Sequence, residues 1–264
     1  DIPVVDCDGM GRAFPELQMF TPTIYGMPCY PATLADDKGQ RAVIIEAPSP
    51  KLVEDHFRGV CVAMGCSAGF VFTPLKKEDI LHKTVQNSTS RAWGLGHAVL
   101  KARAQKKDPF QAILDFENGK SLCKGKIIDV ERRNEGGFTR GVLKILGLAE
   151  FQDEVLIIKF QNENLVATMH HPNGQKEVLV CTPDLICIVD TETGEPIMTE
   201  EVRYGLRVSV LGIPAHPLLL TEQALKYMGP QAFGYSKEEV EFKPIGDYKD
   251  HGPVAPVSVD SCTS

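Results

Sequence analysis

The feature that most constrains the fold is a change of period at about Gly119. Beyond it come seven short apolar runs, at residues 126–131, 140–145, 154–160, 164–169, 177–181, 185–189 and 206–210. They are rich in Val, Ile and Leu, as in Glu154-Val155-Leu156-Ile157-Ile158-Lys159-Phe160. Turn residues separate most of them: Glu135-Gly136-Gly137, Pro172-Asn173-Gly174 and Thr191-Glu192-Thr193-Gly194. Short strands at this spacing argue for a β-barrel or a β-sandwich.

The first 116 residues read differently, as strands alternating with helices. Residues 2–5 and 41–46 are strand-like, and 69–72 is a third candidate. Ser49-Pro50 signals a helix start, since proline suits the first helical turn. The helix continues through Leu52, Val53, Phe57, Val60, Cys61 and Met64 and stops at Gly65. Residues 77–86 suggest a short helix. Ser88 or Ser90 is placed to cap a longer one, with Ala92, Leu95, Gly96, Val99, Leu100 and Arg103 at helical spacing. Asp108-Pro109 opens another. Such alternation implies a mostly parallel sheet with helices packed on it. Residues 221–228 form a last helix, stopped by Gly229-Pro230, and after Phe242 no periodicity remains.

A chain of 264 residues with 43% hydrophobic and 24% charged side chains can bury a real core. A formal charge of -7 argues against non-specific binding to nucleic acid or an anionic membrane surface. No apolar stretch approaches the ~18 residues of a membrane helix, and the start shows no signal-peptide pattern. The expected location is the cytoplasm. The eight cysteines form no C-x-x-C pair, so buried free thiols are the expectation.

Chemistry concentrates at the start. Val4-Val5 runs into Asp6, Asp8, Gly9, Gly11, Arg12 and Glu16. Glycines let a backbone turn and approach a ligand closely. In open α/β sheets ligands gather beyond the carboxyl ends of strands. Asp6 or Asp8 would serve as general base if burial or a like charge raised its pKa. Arg12 offers a planar fork for a carboxylate or an imide carbonyl. The plainer alternative is a tight turn in which one aspartate caps and pairs with Arg12. Glu16 either caps, pairs with Arg12 or joins the catalytic set. Ser88, Ser90 and Arg91 at a helix start suit an anion, or an ordinary cap. Gln161, Asn162 and Glu163 end an apolar strand, where amides recognise the edges of a cyclic imide or ureide. Otherwise they form a polar turn. No metal-ligand spacing such as H-E-x-x-H appears, though Asp6, Asp8 and a distant histidine leave a divalent metal open.

Three segments carry a resemblance: the run from Val4 to Glu16, Ser88-Thr89-Ser90-Arg91-Ala92-Trp93-Gly94-Leu95-Gly96, and Phe160-Gln161-Asn162-Glu163-Asn164-Leu165. Later matches are Pro183-Asp184-Leu185-Ile186, Arg203-Tyr204-Gly205-Leu206-Arg207-Val208 and Gly229-Pro230-Gln231-Ala232-Phe233-Gly234-Tyr235. In order and content these resemble the S-methyl-thiohydantoin desulfurase family, over the chain up to about Phe242.

The resemblance implies a fold of α/β plus β. A partial N-terminal layered α/β domain would span residues 1–118 and a β-barrel-like domain 119–220. A helix and return segment would follow over 221–242, and the Gly-, Pro- and Asp-rich stretch over 243–264 reads by its composition as a tail, mobile or draped on a neighbour. The resemblance implies hydrolysis of a C–S bond on a hydantoin-like ring, with Asp6 or Asp8 deprotonating water and Arg12, Asn162 or Gln161 holding the ring. It also implies a preceding segment with a glycine-rich loop, so the chain would be a fragment, a processed product or the partner of a second polypeptide. Assembly through exposed sheet edges into a homo-oligomer is a further expectation. The alternatives are an accessory subunit of a hydantoinase or oxoprolinase assembly, or a small-molecule binder without turnover.

Overall fold

The computed structural model describes residues 4–254. The apolar runs after Gly119 become one curled half-barrel sheet of seven strands. These are β6 (Lys120–Glu135), β7 (Phe138–Gly147), β8 (Val155–Gln161), β9 (Glu163–His170), β10 (Lys176–Cys181), β11 (Leu185–Asp190) and β12 (Arg207–Ile213). The order is β10-β9-β8-β7-β6-β12-β11, and every neighbouring pair is antiparallel. Alternate side chains of a strand face one side, so Ile127, Leu143, Ile145, Leu156, Ile158, Val208 and Val210 line the inner face and are buried. Each contributes about 1.5–3 kcal/mol by leaving water. Register shifts at Ile127/Asp129, Lys159/Phe160, Val178/Val180 and Val210/Leu211 add local bend and twist. The sheet thereby curls until its ends approach. Asn164 of β9 donates from Nδ2 to the carbonyl of Ile186 in β11 at 2.9 Å.

Ahead of the half-barrel the expected parallel sheet is absent. β2 (Ala32–Ala35) pairs with β3 (Arg41–Ile44) and β4 (Gly69–Val71), antiparallel in both cases. The alternation of strand and helix misled because β2 and β3 are joined by a short turn, which only an antiparallel pair permits. α2 (Pro50–Met64) packs Val53, Phe57 and Met64 onto this sheet. It ends at Gly65, whose φ of 102° only glycine adopts readily. A two-strand ladder pairs β1 (Cys7–Asp8) with β5 (Val85–Gln86). The expected strand at 2–5 is not a buried one: Val4 and Val5 are exposed, and residues 1–3 lie outside the described residues.

The remaining helices are α1 (Thr21–Ile24), α3 (Lys77–Lys83), α4 (Ser88–Ala104), α5 (Pro109–Glu117) and α6 (Glu222–Met228). The expected helix over 77–86 thus stops early and yields to β5. α4 and α5 pack Leu95, Val99, Phe110 and Ile113 onto β11 and β12. Residues 243–254, expected as a tail either mobile or draped on a neighbour, are draped on the chain itself. Ile245 joins the half-barrel core, Asn118 donates to the carbonyl of Asp247 at 2.9 Å, and Lys249 donates to that of Asp115 at 3.0 Å. Residues 255–264 lie outside the described residues. Among the described residues all cysteines are free, and no helix is long and apolar enough to cross a membrane.

Candidate functional site

The β1–β5 ladder carries Asp6 to the start of α4. There Asn87, in the left-handed region at φ 59°, provides no side-chain cap. Asp6 caps the helix from outside. Its Oδ1 accepts from the N–H of Thr89 at 2.8 Å and of Ser90 at 3.2 Å, and its Oδ2 accepts from the Ser90 hydroxyl at 2.5 Å. Neither Ser88 nor Ser90 is the cap, and the anion expected at this helix start is the protein's own. The Ser90 hydroxyl, outweighing burial with help from the two N–H groups, holds the Asp6 carboxyl below its usual range. With both of its carboxylate oxygens committed to α4, Asp6 has none left to act as a general base. Asp6→Ala is expected to lower stability by about 1 kcal/mol at neutral pH. Because its folded pKa is depressed, this contribution is present above the ordinary aspartate value and fades as pH falls through the depressed one. Denaturant midpoints of the wild type and variant should converge in acid.

Asp8 is differently placed. Its Oδ1 accepts from the N–H of Met10 at 2.6 Å and of Gly11 at 2.5 Å, closing the glycine turn. Among the described residues Oδ2 accepts no hydrogen bond. Gly11, at φ 71°, turns the chain beside Val85 and Leu219. That brings Arg12 under the half-barrel. Its Nη1 donates to the carbonyl of Asp184 at 2.6 Å, its Nη2 to that of Asn164 at 3.0 Å, and its Nε to that of Ala13 at 3.2 Å. The fork expected to hold a substrate is used on the main chain, and Arg12 is a positioning residue. Glu16 does not pair with Arg12 either. It accepts from Gln18 at 2.5 Å and faces Lys51 at 3.4 Å.

Arg91, one turn into α4, grips Glu117 of α5 with Nε at 2.9 Å and Nη2 at 2.6 Å, and Glu117 is 3% exposed. The C-terminal segment closes over this pair. The Tyr248 ring lies 5.3 Å from the Arg91 guanidinium, and the His251 ring stacks on Phe116 at 4.0 Å. Val254 N–H donates to the Ser90 hydroxyl at 2.9 Å. His216 meets the Tyr248 ring edge-on at 4.9 Å. Leu218 N–H donates to His216 Nδ1 at 3.2 Å, which assigns the ring proton to Nε2. Burial pushes the His216 imidazole down, against the pull of Asp250 and Asp8. Burial also pushes the Tyr248 hydroxyl up. Tyr248 thus joins Arg91 and His216 by direct ring contacts, and the charge of Asp8 acts on both His216 and Tyr248.

The β8–β9 residues divide. Asn162 is the turn itself, at φ 55°. Its Oδ1 accepts from Thr139 N–H at 2.8 Å, its own N–H donates to Thr139 O at 2.7 Å, and its carbonyl accepts from the Thr199 hydroxyl. Burial pushes the Glu163 carboxyl up, and the charge of Arg12 opposes the rise. Gln161 lines a separate cavity with Arg140 and Lys159.

An apolar groove of about 390 Å³ runs between α4 and strands β11 and β12. Ala92, Leu95, Gly96, Val99, Cys187 and Val189 line it. Cys187, in the groove lining, feels the charges of Arg12, Glu117, Arg91 and Glu163. Burial raises its thiol to about 11, so it is neutral at pH 7 and a poor nucleophile. An apolar slot ending in a few convergent polar groups is the usual form of a small-molecule site. Among the described residues no three His, Cys, Asp or Glu side chains are grouped to hold a metal ion, Asp6 and Asp8 included.

Sequence reading missed His216, Tyr248, Glu117 and Asp184. Tyr248 sits in an aperiodic Asp- and Gly-rich stretch, and His216 in a connection, where no local period marks a side chain's direction. Cys187 was visible only as a strand residue.

The comparisons agree with this architecture. Residues 48–245 match the model of the S-Me-THD-like C-terminal domain, and residues 1–46 that of the S-Me-THD-like N-terminal domain. No curated protein matches the chain. A crystal structure of a protein from Chromobacterium violaceum shares the fold at a TM-score of 0.70 and 23% identity, over 92% of this chain. The chain spans 66% of that protein's length.

Proposed function

Because the chain belongs to the S-Me-THD-like family, we propose that it hydrolyses the C–S bond of an S-methyl-thiohydantoin or a closely related cyclic ureide in the groove beneath α4. The observation that carries this reading is an apolar groove under α4 whose Cys187 feels the charges of the Arg91–Glu117 pair, the same pair that Tyr248 and the C-terminal segment cover.

The ring substituent lies along Leu95, Gly96 and Val99, and the sulfur-bearing carbon faces Asp8, His216 and Tyr248. Asp8 Oδ2 takes a proton from water, and the water oxygen bonds to the ring carbon. The electron pair of the C=N bond moves to nitrogen, which takes a proton from a donor, Tyr248 O–H or His216 Nε2–H. As the intermediate collapses the C–S bond breaks and its electron pair leaves on sulfur. Methanethiol departs with the proton from Asp8, while the added oxygen's remaining proton returns to the donor and leaves a carbonyl. The Arg91 charge, held by Glu117, favours negative charge developing nearby. Arg12 holds the Asp8 loop against the half-barrel.

A groove-filling variant tests the location. A Cβ at Gly96 meets nothing within 4 Å, so Gly96→Leu adds bulk to the groove without crowding the fold. It is expected to raise KM for a substituted S-methyl-thiohydantoin about tenfold or more, a loss of about 1.4 kcal/mol of binding. Its melting temperature should not fall. Thiol release with an unchanged KM would place the substrate elsewhere.

A further inference from the structure

The cavity that takes Gln161 is a second site, on the outer face of the half-barrel. Cross-strand partners share a face. Arg133 is opposite Arg140, Arg140 opposite Gln161, and Val142 opposite Lys159. These residues line a cavity of about 510 Å³ together with Phe233, which ends the short 3-10 turn after α6, and Tyr235, two residues beyond it. Four cations line it, Arg132, Arg133, Arg140 and Lys159, against one carboxylate, Glu131. That is a strong local excess of positive charge in a chain of net charge -7.

The cations are incompletely satisfied. Like charges directly opposite on neighbouring strands repel, and Arg133 and Arg140 are so placed. Arg133 has only a loose, exposed contact with Glu135 at 3.8 Å. Arg140 has no carboxylate partner among the described residues, and its Nε is buried without any hydrogen-bond acceptor. A buried guanidinium N–H without an acceptor is costly, and the Arg140 side chain is part of the cavity lining. Arg132 is partly spoken for, donating to the carbonyls of Thr199 at 2.6 Å and Val202 at 3.1 Å.

We propose that this cavity binds a phosphate-bearing small molecule that also carries a planar ring. Guanidinium forks match phosphate oxygens in pairs, and Arg133 and Arg140 supply two forks with Lys159 as a third charge. The volume is far larger than an inorganic ion needs and falls within the range for cofactor-sized ligands. The aromatic side chains in the lining give the ring a surface to lie on, and Gln161, in the same lining, supplies an amide to read a polar edge.

Titration calorimetry with ADP as probe, with inorganic pyrophosphate and citrate as comparison anions, tests this on the whole chain. Saturable ADP binding is expected, about tenfold or more tighter than either comparison anion and weakening as salt is raised. Arg140→Gln and the exposed Arg133→Gln are each expected to weaken ADP about tenfold, while thiol release is unchanged. Absence of saturable ADP binding overturns the proposal. So does ADP binding that neither variant alters. Pyrophosphate or citrate binding as tightly as ADP overturns the ring-bearing class.

Discussion

Asp8→Asn is expected to leave the chain folded and to slow thiol release by about 10²–10⁴-fold, the range general-base catalysis contributes. The amide oxygen of asparagine can still accept from the N–H groups of Met10 and Gly11, so the glycine turn keeps its shape. What is lost is the basic Oδ2. Asp6→Asn is the matched control, because Asp6 is committed to Thr89 and Ser90. It should weaken the helix cap and leave the rate per folded molecule within a few-fold. Steady-state thiol release alongside thermal melts separates the two. Equal loss in both variants, or a rate for Asp8→Asn within a few-fold of wild type, would remove Asp8 from the role of base.

The largest stability effect is expected at Asp184. Its carboxylate is fully buried, with Oδ1 accepting from Ala215 N–H and Oδ2 from Ile245 N–H, both at 2.7 Å. It thereby ties β11 to the connection ahead of His216 and to the segment that carries Tyr248. Asp184→Ala leaves two buried N–H groups unpaired, at about 1–3 kcal/mol each. The variant should lose about 2–6 kcal/mol in urea unfolding, and amides beyond Ile245 should exchange faster. Asp184→Asn keeps one acceptor and should lose about half as much. A loss under about 1 kcal/mol for Asp184→Ala would show that the return segment docks by its apolar contacts alone.

What the sequence made legible follows from the range of the signal. The half-barrel strands were readable because a period of two, bounded by turn residues, is local. Helix α2 was readable because Ser49, Pro50 and Gly65 mark its ends. The direction of the first sheet was not, since pairing of β2 with β3 depends on a turn geometry that strand periodicity does not encode. Nor was the division of labour between the aspartates. Asp6 and Asp8 are two residues apart in one motif, yet the β1–β5 ladder sends one to cap α4 and leaves the other with a free oxygen. Arg12 looked like a ligand fork and is instead a clasp, because the carbonyls that its Nη1 and Nη2 grip at Asp184 and Asn164 lie more than 150 positions away. His216 and Tyr248 meet only because Asp184 and Ile245 fold the C-terminal segment back, a long-range event that leaves no mark in local composition.

The most direct test is to turn over an S-methyl-thiohydantoin in water enriched in heavy oxygen and follow both products by mass spectrometry. The account predicts equal amounts of methanethiol and hydantoin, with the label on the ring carbon that bore sulfur, and loss of both products in Asp8→Asn. A folded chain that returns the substrate unchanged, or a label at a different ring carbonyl through ring opening, would contradict it.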